Sequence, residues 1–133
     1  MVDLVQWLRA QLDEDERIAR AAGGLAWSRS EHPWDTAVAI RDSEGERVVC
    51  DEGWPSEGQE VHIAAWDPAR VLREIDAKRQ LLARHERAME NRQAHPVDLA
   101  SAGALLALHG AVKLLALPYA DRPGYEEALA SFG

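Results

Sequence analysis

Few side chains in this chain are spaced for chemistry, and each such set has a structural use that competes with the chemical one. His62 stands five residues before Asp67 and could form an acid/base pair with it, the carboxylate orienting the imidazole. Asp67 is followed by Pro68, and an Asp-Pro step caps a helix whose first residue is the proline. Asp67 is therefore assigned to capping, and His62 to packing between sheet and helix. Cys50, the only cysteine, could be a nucleophile only beside a base that the sequence does not supply, so a half-buried structural thiol is expected. His85 and Glu86 are neighbours and splay apart on a helix, while His95 and His109 have no metal-motif spacing. The run Asp13-Glu14-Asp15-Glu16 points in successive directions about 100° apart and reads as a solvated face rather than a metal site. No phosphate-binding loop, dinucleotide fingerprint, GxSxG or HExxH pattern occurs. No catalytic residue, metal or cofactor is assigned, and an enzyme has no positive support.

Binding chemistry is better represented. Five tryptophans (Trp7, Trp27, Trp34, Trp54 and Trp66) accompany a single phenylalanine. Trp34 follows His32-Pro33 and Trp54 precedes Pro55, both turn-like stretches where complete burial is hard to arrange, and Trp66 stands at the bend before Asp67-Pro68. Tryptophan combines a large apolar area with an indole donor and is enriched in binding hot spots, so Trp34, Trp54 and Trp66 are the candidate protein-binding residues. A second set, Arg70, Arg73, Lys78 and Arg84, makes one helix basic and offers the alternative of nucleic-acid or nucleotide binding. Glu74, Asp76, Glu86 and Glu90 interleave with these bases, which favours a self-neutralising solvated face.

The elements that must position these residues are readable from periodicity. At 133 residues the chain is expected to form one domain, 1–133, and its 47% apolar and 29% charged residues are ordinary globular composition. Asp3 with Gln6 starts a helix on which Leu4, Leu8, Leu12, Ile18 and Ala22 form the packing face, ended by Gly23-Gly24. Asp13 to Arg17 and Glu16 to Arg20 are acid-before-base pairs on its outer side. A β-hairpin over about 36–50 turns at Asp42-Ser43-Glu44-Gly45, and a short strand near residues 26–28 would make a three-stranded sheet, one face covered by Trp27 and Trp34. Ser56 with Gln59 opens a short helix, about 57–66, which Asp67-Pro68 breaks and restarts as a long helix, about 68–90. Leu72, Ile75, Leu82 and Met89 form its apolar stripe, widened by Val71 and Leu81, with Arg79 interrupting. A final apolar helix, about 98–117, ends at Pro118, and its small-residue face (Gly103, Ala104, Ala107, Gly110, Ala111) is expected against the long helix. Residues 126–132 could add a last helical turn or two. Lys113 and His109 inside the apolar helix argue against a membrane span.

Three segments carry a family resemblance: LVQWLRAQLDEDERIARAA at 4–22, DEGWPSEGQEVHIAAWDPARVLREIDAKRQLLARHE at 51–86, and LLALPYADRPGY at 114–125. Through them the chain resembles a family of small uncharacterised proteins, a domain of unknown function, from actinobacteria and their phages. The family is associated with a cysteine ahead of the last segment, where this chain has His109-Gly110-Ala111-Val112-Lys113. The resemblance implies membership and a mobile-element origin, with no assigned reaction.

The expected protein is thus α+β: an N-terminal helix, a small antiparallel sheet, a bent helix pair and a C-terminal apolar helix. Its net charge of −8 disfavours nucleic acid and anionic membranes as partners. One cysteine, with no signal-peptide pattern at Met1-Val2-Asp3-Leu4, points to the cytoplasm. The function expected is a small binding or regulatory module acting on another protein, with a homodimer among the arrangements foreseen.

Overall fold

The computed structural model describes residues 3–32, 35–49 and 55–133, with 31, 32 and 35–38 described as backbone only. The order of elements is α1 (Leu4–Ala22), β1 (Ser28–His32), β2 (Asp35–Arg41), β3 (Arg47–Val49), α2 (Glu57–Ala65), α3 (Pro68–Ala94), α4 (Leu99–Ala116), a 3-10 turn (Leu117–Tyr119) and α5 (Tyr125–Ser131). The α+β reading holds. Contacts group the chain into two compact units, Asp15–Glu74 and Met1–Glu14 with Ile75–Gly133, the division falling within α1 and within α3.

In the unit Asp15–Glu74, the sheet is an antiparallel meander in the order β1-β2-β3. Ser28 pairs with Arg41 and Ser30 with Ala39, and Ile40 pairs with Val49 across the hairpin. The hairpin turn forms as its residue types require: Asp42 Oδ1 accepts from the amides of Glu44 (2.9 Å) and Glu46 (3.0 Å), and Gly45 takes φ 84°. The strand ahead of the hairpin starts at Ser28, where residues 26–28 were expected, because the segment before it is tied elsewhere. The Ala69 amide donates to Leu25 O (2.8 Å) and the Trp27 amide to Asp67 Oδ2 (3.1 Å). Ala39 and Ile40 are buried on β2, and α2 lies by β1 and β2 with the buried Glu60 3.6 Å from Arg29. The Ser56–Gln59 capping box opens α2, with both reciprocal bonds present. Near the end of α1, Ala19 is buried where Ile18 was expected, and Ile18 is 52% exposed.

The other unit is helical. Leu4, Leu8 and Leu12 of α1 are fully buried, as are Ile75 and Leu82 of α3. The stripe on α3 then departs from expectation: His85 occupies the next inward position, 1% exposed, and Met89 turns out to solvent. Spacing alone allowed either, since 82 to 85 and 82 to 89 both keep one helical face. Arg79 resolves its break in the stripe by reaching Asp13 of α1 at 2.7 Å. Trp7 is held by the chain's last turns. Its Nε1–H donates to Pro123 O (3.0 Å), and its ring meets Tyr119 edge-on at 6.5 Å and Tyr125 at 5.8 Å. Gly124 enables that turn with φ 85°, and a Cβ there would lie 2.9 Å from Trp7 Nε1.

The small-residue face of α4 is corrected. Ser101, Val112 and Ala116 are the buried residues, whereas Gly103 and Gly110 face open space with no atom within 4 Å of where a Cβ would be. A helix apolar on most sides has no periodic signal to say which side packs. Asp98 caps it through the amides of Ala100 and Ser101. As Pro118 implies, the α-helical run stops just before it, tightening into the 3-10 turn.

Candidate functional site

The joint between α2 and α3 builds an apolar recess in the unit Asp15–Glu74. Asp67 caps α3, accepting from the Arg70 amide at 2.8 Å while its other oxygen holds the Trp27 amide. One carboxylate therefore starts a helix and fixes the segment ahead of the sheet. Trp27 Nε1–H donates to Gly23 O (3.3 Å), and the left-handed Gly23 and Gly24 turn the chain there. The result is a groove of about 330 Å³ walled by Trp27 and Trp66, with Ile18, Ala22, Pro68 and Val71, and with Asp15 at its rim. Trp66 is 45% exposed. The Arg70 guanidinium lies 3.9 Å from its ring centre and also meets Glu74 at 3.2 Å. Arg stacking of this kind orients the ring and gives the groove a cationic margin. The groove thus combines apolar area from two indole rings with charged groups at its edge.

A second constellation lies in the helical unit, where α3 and α4 bring two histidines together. His85 Nε2 and His109 Nδ1 are 3.3 Å apart, and His109 Nε2 faces the carbonyls of Phe132 (2.9 Å) and Gly133 (3.1 Å). Carbonyls accept only, so His109 Nε2–H donates to them, and its Nδ1 shares a hydrogen bond with His85 Nε2. The His109 ring stacks on Phe132 at 3.7 Å, and His85 lies 5.5 Å from the same ring. Burial holds the His85 imidazole below its usual pKa, the neighbouring His109 adds to this, and Asp3 opposes it. Beside His85 runs a cleft of about 300 Å³ lined by Asp3, Gln6, Arg9, Glu86 and Glu90, with Arg9 and Glu86 paired at 3.1 Å. The pair ties α3, α4 and the segment after α5 together. Sequence reasoning missed it because the partners are 24 residues apart; the one available signal was His85 three residues after Leu82 on an apolar stripe.

The residues singled out from the sequence are placed unequally. Trp66 stands at the groove mouth; Trp34, Trp54 and Cys50 lie outside the described residues. Among the bases, Arg70 is stacked on Trp66, Lys78 donates to Tyr119 Oη at 3.2 Å, and Arg73 and Arg84 are exposed. His62 is exposed with its ring 6.0 Å from Trp66, so it does not pack between sheet and helix as expected, while Asp67 caps α3 as expected. Glu16 and Arg20 form their expected pair at 2.9 Å. Among the described residues no three of His, Cys, Asp and Glu are grouped to hold a metal ion.

No curated protein and no solved structure matches the chain. A family model does, over residues 1–130, and the chain belongs to that family of unknown function, DUF6221.

Proposed function

We propose that this protein is a small binding or regulatory module that acts through another protein, and that the groove at Trp66 receives an apolar side chain of that partner. The observation that carries the reading is the half-exposed Trp66, stacked under Arg70 over an apolar recess shared with Trp27 and Ile18. Tryptophan and arginine are the residues on which interface energy concentrates, and a ring oriented in advance loses little freedom on binding. The reading takes the chain as one domain working in the cytoplasm of actinobacteria or their phages. Supporting that setting are the resemblance of its three segments, the lone Cys50 and the acidic balance of −8.

The test is affinity capture from the native host with three baits: the wild-type chain, Trp66→Ala and Ile18→Asp. Both substitutions lie at exposed positions, so far-UV circular dichroism should be unchanged. A partner held by the wild type and lost by both variants, then shown to bind the purified chain with the same pattern, supports the groove. Identical capture by all three baits refutes it.

A further inference from the structure

The helix α4 shows the same chemistry on two sides, and only one side is used. At about 100° per residue, Leu99, Leu106, Leu114 and Leu117 fall with Gly103 and Gly110 in one stripe about 100° wide. The four leucines are 87%, 76%, 70% and 58% exposed. Lys113 is the only charge on the stripe. The opposite side, with Ser101, Val112 and Ala116, is buried. We propose that this leucine face is the interface of a homodimer, in which α4 packs antiparallel against α4 of a second copy.

Three observations select a second copy as the occupant. The first is self-complementarity. A two-fold axis level with residue 108 sets Leu99 opposite the other copy's Leu117, Leu106 opposite its Gly110, Lys113 opposite its Gly103 and Leu114 opposite its Ala102, so each bulky side chain but the terminal leucines meets a glycine or an alanine. The space beside both glycines is open to the 4 Å limit. Such reciprocity is what an isologous interface demands.

The second is area. Taking roughly 100 Å² of apolar surface for a fully exposed leucine, the four leucines of the stripe present on the order of 300 Å² per protomer. That is already the size of the largest apolar patch on ordinary monomers, about 300–600 Å². The alanines and glycines of α4 and the Lys113 stem extend it toward the ~600 Å² per partner at which specific interfaces begin.

The third is charge. The chain carries −8, yet the stripe holds no carboxylate, so two copies can meet through a long face free of like acidic charge. In the antiparallel register the two Lys113 side chains start about ten residues apart along the helix, roughly 15 Å and beyond the Debye length at physiological salt. A lipid bilayer is the competing occupant, because Leu99–Tyr119 is long and apolar enough to cross a membrane. Against it, α4 is engaged along its other side by the His85–His109 contact, Lys113 sits within the leucine stripe, and the net charge repels anionic headgroups.

The experiment is sedimentation equilibrium across a wide concentration range, with light scattering, on the full chain. The wild type is expected to pass from monomer to dimer. Leu106→Glu, at an exposed position that keeps helix propensity, should remain monomeric with unchanged circular dichroism. Gly110→Leu, filling the gap that receives Leu106, should weaken the dimer at least tenfold without lowering the monomer's melting temperature. The register is read by cross-linking in a Cys50→Ser background. Leu99→Cys mixed with Leu117→Cys should form a disulfide-linked dimer that neither gives alone. A wild type monomeric at every concentration, a dimer indifferent to both substitutions, or cross-linking by Leu99→Cys alone would each overturn the proposal. So would a monomeric wild type that binds neutral phosphatidylcholine vesicles and loses that binding in Leu106→Glu. The stripe shares no residue with the Trp66 groove: Trp66→Ala should leave the dimer intact, and failure of the dimer leaves the capture result unchanged.

Discussion

Removing the Trp7 indole tests how the first helix and the last turns of the chain hold each other. Trp7 is 7% exposed, donates to Pro123 O at 3.0 Å and contacts the rings of Tyr119 and Tyr125. Trp7→Phe keeps an aromatic ring but removes the donor, costing about 1 kcal/mol for the bond, and the smaller ring leaves part of the indole's space unfilled. A loss of ~2 kcal/mol is expected. Trp7→Ala also forfeits the two ring pairs, each worth about 0.5–1.5 kcal/mol, and most of the buried area, so its cost should reach ~4 kcal/mol. Against a total stability of about 5–15 kcal/mol for a domain, the second variant should be close to its limit. Urea titration followed by far-UV circular dichroism measures both, since four other tryptophans confuse fluorescence; an unchanged m-value is required before midpoints are compared. If Trp7→Ala loses less than about 1 kcal/mol, the indole does not anchor the 119–125 turn and the packing account of this unit is wrong.

Two further outcomes follow from the same geometry. Gly24 has φ 51° and a Cβ there would come within 2.5 Å of Asp42 Cβ, so Gly24→Ala should destabilise by at least the ~1–2 kcal/mol of left-handed strain; Gly58→Ala, in α2 with its nearest neighbour at 3.9 Å, should gain up to ~1 kcal/mol, and thermal melts should place the two on opposite sides of the wild type. His85 has a depressed folded pKa, so below the usual ~6.5 of imidazole the unfolded chain binds the extra proton and the folded one resists it. Its contribution is therefore complete above that pH and is lost as pH falls toward the folded value; stability should drop from pH 7.5 to 5.5, and a His85→Leu variant that shows the same slope would refute the assignment.

What the sequence made legible was whatever is decided within a few residues. The Ser56–Gln59 box, the Asp42–Gly45 turn and the Asp67-Pro68 restart are local bargains between side chains and nearby backbone amides, and all three form. Asp67 also shows where that reach ends. Its second oxygen holds the Trp27 amide, 40 residues away, and that bond shapes the groove that spacing could not reveal. Arg79 with Asp13 and Trp7 with Pro123 are of the same kind, separated by 66 and 116 residues.

The orientation of α4 failed for a more instructive reason. Its only polar side chains are Ser101, His109 and Lys113. The rule that polar groups face water would turn all three outward, but two of them face in. Ser101 is buried with its hydroxyl donating toward Asp98 O at 2.9 Å, and His109 is bonded to His85 and to the Phe132 carbonyl. Buried polar groups cost little once their bonds are made, and they then specify a unique packing more sharply than interchangeable leucines do. The inward side of α4 is thus chosen by its hydrogen bonds, and Leu99, Leu106, Leu114 and Leu117 are left on the outward side. An apolar residue is free to be buried anywhere; a serine or histidine with one set of partners is not, and in a helix leucine-rich all round the polar minority decides which way it turns.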